Sequence, residues 1–234
     1  MKTILIVGSN KLTIPILDIC RQKKLKIIIT DKNINDVNKK YADEFFQVNG
    51  LDKEKILEIC KKNNVDGILT LGEDRLETIA YVSENMNIPG ITRMTAIYSQ
   101  NKFLLREKMK QNGIPVPFYC TVKNKEELNK LNIQEIEFPV VMKPIDATGS
   151  RGVIKVNDKF RLERALTESL ESSKNGVVMI EEYLSGKEYS VETLTQNGKT
   201  YVVSITEKTI LGDPYFVETR HIVPAKLNDV DRKK

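Results

Sequence analysis

Pro139-Val140-Val141-Met142-Lys143-Pro144 is the stretch that decides the fold, and it runs on as Ile145-Asp146-Ala147-Thr148-Gly149-Ser150-Arg151-Gly152-Val153. An apolar run ends on a lysine, two glycines bracket Ser150-Arg151, and an apolar segment, Val153–Val156, resumes. The pattern predicts a strand, a glycine-rich loop and a second strand. Glycine reaches φ > 0 and lets backbone approach a ligand closely, so the amides of such a loop can fold over an anion. Lys143 would face the same space with a compact charge suited to phosphate. A P-loop is excluded, because there is no G-x-x-x-x-G-K-[ST] and no helix opens after the loop. An ordinary hairpin with a solvated lysine explains this stretch almost as well.

A second stretch tips the balance. Val177–Ile180 reads as a buried strand running into Glu181-Glu182-Tyr183-Leu184; Ser185-Gly186 turns, and Lys187–Glu192 leaves as an alternating strand. Carboxylates at a strand end and just past a turn can accept hydrogen bonds from an adenine amino group and ribose hydroxyls. The backbone from Glu182 to Leu184 can meet the purine edge. Exposed acids on an antiparallel pair are the plainer account, and Glu192 fits it. Upstream, Ser99–Gln111 is predicted helical (Phe103, Leu104, Met109) and is closed by Gly113, Pro115 and Pro117. A strand over Phe118–Val122 and a charged helix over Lys125–Leu131 follow.

Residues 1–95 have a different texture. Strands are predicted at Thr3–Val7, Leu25–Thr30 and Gly67–Leu71. Helices are predicted over 12–23, with Leu12, Ile16, Ile19 and Cys20 on one face, after an Asp52 cap with Ile56, Leu57 and Cys60 inward, and over Arg75–Glu84. Such alternation implies βαβ units and a parallel sheet covered on both faces, with ligands beyond the strands' carboxyl ends. Those ends are Gly8-Ser9-Asn10, Asp31 and Gly72-Glu73-Asp74. Gly8 after a strand and Asp31 downstream invite a dinucleotide reading, but Gly8-Ser9-Asn10-Lys11-Leu12-Thr13 has one glycine where G-x-G-x-x-G wants three. NAD is disfavoured, and a Rossmann-type oxidoreductase ranks low. Asp31 and Glu73-Asp74 either face an acceptor substrate or cap helices.

Composition removes further classes. The 234 residues carry 37 Lys+Arg against 32 Asp+Glu, a net charge of +5, and acids interrupt nearly every basic run. Nucleic acid is therefore not the expected partner. At 40% hydrophobic and 29% charged the chain can bury a core. No run of 18 apolar residues offers a membrane helix. The odd cysteine set Cys20, Cys60 and Cys120, without CxxC, points to a reducing, cytoplasmic setting. His221 is the only histidine, so a zinc site and a histidine-dependent nucleophile are not expected; His221 itself reads as structural.

Three elements in order resemble the ATP-grasp ligases: Asn101-Lys102-x-x-x-x-Arg106 with Gly113-x-Pro-x-Pro; Val-Met-Lys-Pro with the Gly-Ser-Arg-Gly-Val loop; and Glu-Glu-Tyr-Leu-x-Gly-x-Glu-Tyr-Ser-Val-Glu. The likeness covers essentially the whole chain, and is greatest to carbamoyl-phosphate synthase large subunits, biotin carboxylase, phosphoribosylglycinamide synthetase and dipeptide ligases. It implies an α/β fold: a Rossmann-like parallel-sheet domain over 1–95, a helical linker over 96–117, a small lid subdomain over 118–182, and the start of the large ATP-grasp subdomain over 183–234. It also implies roles. Lys102 and Lys143 would hold phosphates of ATP, with Gly149, Ser150, Arg151 and Gly152 closing over them. Glu181 would take the adenine amino group, Glu182 and Leu184 would offer backbone atoms to the ring, and Glu188 would bind the ribose. Catalytic residues stay unassigned, and no metal ligand is named. The implied activity is ATP- and Mg2+-dependent joining of a small carboxylate to an amine-type nucleophile through an acyl phosphate.

The match has gaps. The family's magnesium-binding Glu and Asn and its phosphoryl-steadying arginine lie well after the Glu-x-Gly-x-Glu region. Glu207 and Glu218 lack an Asn-x-Arg companion, and Arg220 stands where related sequences carry glycine. The expectation is a truncated or split ligase, inactive alone, with a homodimer mate or a partner chain supplying the missing half. The alternative is a non-catalytic nucleotide-binding module that needs such a partner.

Overall fold

The structure is a computed structural model, and it describes residues 1–212 and 216–228. It divides into two compact units, Met1–Lys108 and Met109–Lys234.

The first unit is built on a parallel sheet of β1 (Thr3–Val7), β2 (Lys26–Asp31), β3 (Glu44–Gln47) and β4 (Gly67–Leu69), in the order β3-β2-β1-β4. Its crossovers carry α1 (Ile14–Gln22) and α2 (Lys53–Lys62), and α3 (Leu76–Met86) follows β4. In β1 and β2 the residues point alternately to two cores, as the two-residue strand period requires. Leu5, Val7 and Ile28 pack with Ile56, Leu57, Cys60, Ile79 and Val82, while Ile6, Ile27 and Ile29 pack with Leu17 and Cys20 on the other face. Near-continuous burial of β2 is what a sheet covered on both sides demands.

Three details depart from the sequence reading. The predicted helix over 12–23 splits into a 3-10 turn, Lys11–Thr13, and α1, which begins beside Pro15. Of the predicted inward residues Cys20 and Ile16 do face the core, with Leu17, while Leu12 and Ile19 are exposed. The helix predicted over Ser99–Gln111 is two, α4 (Arg93–Gln100) and α5 (Lys102–Gln111), because Asn101 is extended (φ −126°, ψ 105°) and its side chain accepts from the Leu104 amide. Strand β3 was not foreseen at all.

The second unit holds two antiparallel sheets. One contains β5 (Tyr119–Val122), β6 (Val140–Pro144), β7 (Ile154–Val156) and β8 (Val178–Glu182), in the order β5-β8-β6-β7. Helices α6 (Lys125–Asn129) and α7 (Leu162–Leu170) cover one face, burying Val140, Met142, Val156, Val178 and Ile180. The other sheet is β11-β10-β9, made of β9 (Glu188–Gln196), β10 (Lys199–Ile210) and β11 (Glu218–Ile222).

Candidate functional site

Alternation and register decide what the face of the β5–β8 sheet opposite α6 and α7 displays. Val141 pairs with Glu181 and Lys155, Lys143 with Met179, and Tyr119 with Glu181. The face opposite α6 and α7 therefore carries Tyr119, Val141, Lys143, Lys155, Met179 and Glu181. At its centre the Lys143 ammonium makes an ion pair with the Glu181 carboxylate, the two side chains only 16% and 6% exposed. The pair sits diagonally across neighbouring strands, within reach of a long side chain. Two buried opposite charges persist only when they satisfy each other or a ligand. Next to them Lys155 Nζ lies 4.1 Å over the Tyr183 ring, a cation–π contact.

The glycine loop joins β6 to β7. Gly149, Ser150 and Gly152 have φ of +65°, +56° and +69°. Gly152 is the anchored end: its carbonyl accepts from Ser169 Oγ at 2.6 Å, and a Cβ there would stand 2.9 Å from Ser172 Cβ and 3.0 Å from Pro144 Cγ. Gly149 meets nothing within 4 Å, so the tip is open. Arg151 is exposed and folds back, its Nε donating to Thr148 O at 3.0 Å and Nη2 to Thr148 Oγ1 at 3.3 Å. Before the loop, Asp146 accepts from the Lys174 and Asn175 amides.

Beyond Glu181 the backbone is partly spent. Glu182 remains inside β8, where its amide donates to Phe118 O at 2.9 Å and its carboxylate accepts from the Phe118 amide at 3.3 Å. The strand thus continues past the point where the sequence ended it. The Tyr183 amide donates to Pro139 O at 3.2 Å. Leu184 is exposed, and among the described residues its amide has no acceptor.

Glu188 opens β9 and pairs in register with Lys208 of β10, which pairs in turn with His221 of β11. Lys208 Nζ lies 2.5 Å from Glu218 Oε1 and 3.6 Å from Glu188 Oε2, and His221 Nε2 is 2.9 Å from Glu218 Oε2. The hydrogen bond to Glu218 holds the Lys208 ammonium above its ordinary pKa; the same bond, then that with His221, holds the Glu218 carboxyl below its own.

In the first unit Lys102 stands at the start of α5. Asp31, 8% exposed, accepts from the Ser9 amide at 3.0 Å and the Asn33 amide at 2.8 Å. It ties two loops together through these bonds. Gly72 is followed by the turn Glu73–Arg75, which leads into α3. The three thiols are inert by environment: burial raises all three pKa values, Cys60 to about 12.

Residues 4–94 match the PylC-like N-terminal domain model, and residues 136–234 match the ATP-grasp domain model. The chain carries an ATP-grasp domain after a PylC-like N-terminal domain. An L-arginine-specific L-amino acid ligase of Bacillus subtilis is 27% identical over 162 residues, 68% of this chain and 39% of that protein. A phosphoribosylamine–glycine ligase of Pyrococcus furiosus is 27% identical over 187 residues, 78% of this chain and 43% of its own length. This chain thus spans less than half the length of these two curated relatives. The crystal structure of an L-amino acid ligase from Bacillus licheniformis superposes with a TM-score of 0.81 at 25% identity, covering 100% of this chain and 57% of that one. The mixed α/β fold, a parallel sheet followed by antiparallel sheets, agrees with these relatives.

Sequence reasoning missed Lys155, Lys208 and Arg75. Lys155 shows only as the middle residue of Ile154-Lys155-Val156, and its face follows from pairing with Val141. Lys208 becomes central once β9 and β11 flank β10, which no local pattern announces. Among the described residues no helix is long and apolar enough to cross a membrane.

Proposed function

We propose that this chain is the nucleotide-binding portion of an ATP-dependent ligase that joins a small carboxylate to an amine through an acyl phosphate. The observation that carries the reading is the buried Lys143–Glu181 pair on the face opposite α6 and α7, between the positive-φ loop 149–152 and the open Leu184 amide. ATP offers matching chemistry: an amino donor for Glu181, a ring acceptor for the Leu184 amide, hydroxyl donors for Glu188, and phosphate oxygens for Lys143 and the loop. Glu182 contributes its backbone carbonyl, because its amide is already committed to Phe118. Lys102 is assigned to the phosphates by its place in the Asn-Lys motif.

In the reaction the substrate carboxylate attacks the terminal phosphorus as the bond to the β-phosphate oxygen breaks, leaving ADP and an acyl phosphate. The amine nitrogen then attacks the acyl carbon, phosphate leaves, and the nitrogen loses a proton. Triphosphate and carboxylate repel, so the ammonium groups must neutralise charge while fixing an in-line geometry. Magnesium accompanies ATP in this family. Among the described residues no three His, Cys, Asp or Glu side chains cluster to hold a cation, so no described residue is assigned to the metal. Small-molecule carboxylates and amines are the expected substrates.

Calorimetric titration with a non-hydrolysable ATP analogue tests the site. Lys143→Ala and Glu181→Ala should each weaken binding roughly ten- to hundredfold, the worth of a charge-assisted hydrogen bond, while Lys123→Ala should not. Equal affinities in all four proteins would refute the assignment.

A further inference from the structure

Arg75 lies in a bed made by three glycines. A Cβ on Gly8, after β1, would stand 2.7 Å from Arg75 Cζ; one on Gly50, after β3, 2.7 Å from its Cδ and Nε; one on Gly72, after β4, 2.0 Å from its Nη1. Any side chain at these positions would meet the arginine, so three loops at the carboxyl end of the parallel sheet leave room for one guanidinium. Its side chain is 27% exposed. Among the described residues its five donors make no hydrogen bond, and the nearest carboxylate oxygen, Asp74 Oδ1, is 3.7 Å from Nη1. A guanidinium this enclosed ordinarily binds a carboxylate or phosphate through paired N–H groups. Packing alone would be served by a shorter apolar side chain, with no ion to desolvate.

We infer that Arg75 is the carboxylate-recognition residue of an α-amino-acid site at this sheet end, with Asp74 receiving the ammonium. Asp74 is 46% exposed, so cation and anion face solvent side by side, in the arrangement that complements an ammonium and a carboxylate one carbon apart. Inorganic phosphate suits the site less, since Asp74 and Glu73 would repel its second charge. A carboxylate without an amine leaves Asp74 unanswered. Asp31 is not available, its oxygens being held by Ser9 and Asn33. The catalytic meaning of the site rests on the ligase reading, since an amino acid carries both of the groups that reading joins; the binding itself requires no nucleotide.

Saturation-transfer NMR on the full chain without nucleotide tests this. The probes are an equimolar mixture of protein-forming L-amino acids, propionate and 4-methylpentanoate as amine-free acids, ethylamine as an acid-free amine, and inorganic phosphate. Amino-acid signals should appear with the parent protein, fall at least tenfold in Arg75→Gln, fall less in Arg75→Lys, and weaken in Asp74→Asn, with circular dichroism showing each variant folded. Three results would overturn the inference: no amino-acid signal, equal signals in parent and Arg75→Gln, or amine-free acids or phosphate competing as well as amino acids. Amino-acid binding that persists where the ATP analogue fails to bind supports this site and condemns only the nucleotide reading; the reverse condemns this site alone.

Discussion

Replacing Lys143 by methionine keeps the length of the side chain but strips the ammonium from Glu181, whose own side chain is only 6% exposed. The buried carboxylate then loses this ion pair. Breaking a buried pair in this way costs about 3–5 kcal/mol. The 16% exposure on the lysine side admits some water, so the lower end, about 3 kcal/mol, is expected. With a urea slope of roughly 2 kcal/mol/M the midpoint should fall by about 1.5 M. The double change Lys143→Met with Glu181→Leu removes both charges of the pair and should be more stable than the single variant, because no carboxylate is left buried without this ammonium. Urea unfolding by far-UV circular dichroism reads the total. Hydrogen exchange of β6 and β8 peptides reads the second unit by itself. A loss under 1 kcal/mol in the single variant, or a double variant no more stable than the single, would refute the buried-pair argument.

The pH profile of the β9–β11 sheet should have two shoulders. Glu218 is lowered in the folded chain, so its contribution is present above its unfolded value near 4.5 and is lost as pH falls through the lower folded value. Lys208 is raised, so its contribution is present below 10.5 and is lost as pH rises through the higher folded value. Lys208→Met should flatten both shoulders in exchange-protection measurements; unchanged shoulders would count against the network. Gly152→Ala should destabilise by about 1–3 kcal/mol through its left-handed backbone and the crowding of Ser172 and Pro144, and more than Gly149→Ala, whose Cβ meets open space. Thermal melts of the two variants rank them, and equal losses would sink the distinction. With thiols raised by burial, Cys20, Cys60 and Cys120 should resist iodoacetamide at pH 8 until urea unfolds the chain; rapid labelling by mass spectrometry would contradict it.

Local order was largely legible before any coordinates. The β6–loop–β7 hairpin, the Asp52 cap and the Ile56, Leu57, Cys60 stripe all rest on short-range rules, namely period, capping and glycine placement, and the structure contains each of them. The face of α1 was read only in part: Ile16 and Cys20 turn inward as expected, but the helix starts at Ile14 beside Pro15, leaving Leu12 in a separate 3-10 turn, and Leu17 takes the place given to Ile19. The break at Asn101 was missed because a residue that accepts a local amide can end one helix and cap the next without glycine or proline.

The sequence alone determined most of the strands (though not β3), where a loop can take positive φ, and which charged residues close a strand, because these depend on neighbours within a few positions. Only the tertiary structure decided that Lys143 meets Glu181, that Lys208 lies between two acids, and that Gly8, Gly50 and Gly72 enclose one arginine. Each of these depends on strand register and on loops far apart in the chain meeting at one sheet end. Those partners are chosen by packing and electrostatics between segments, and no local periodicity encodes that choice.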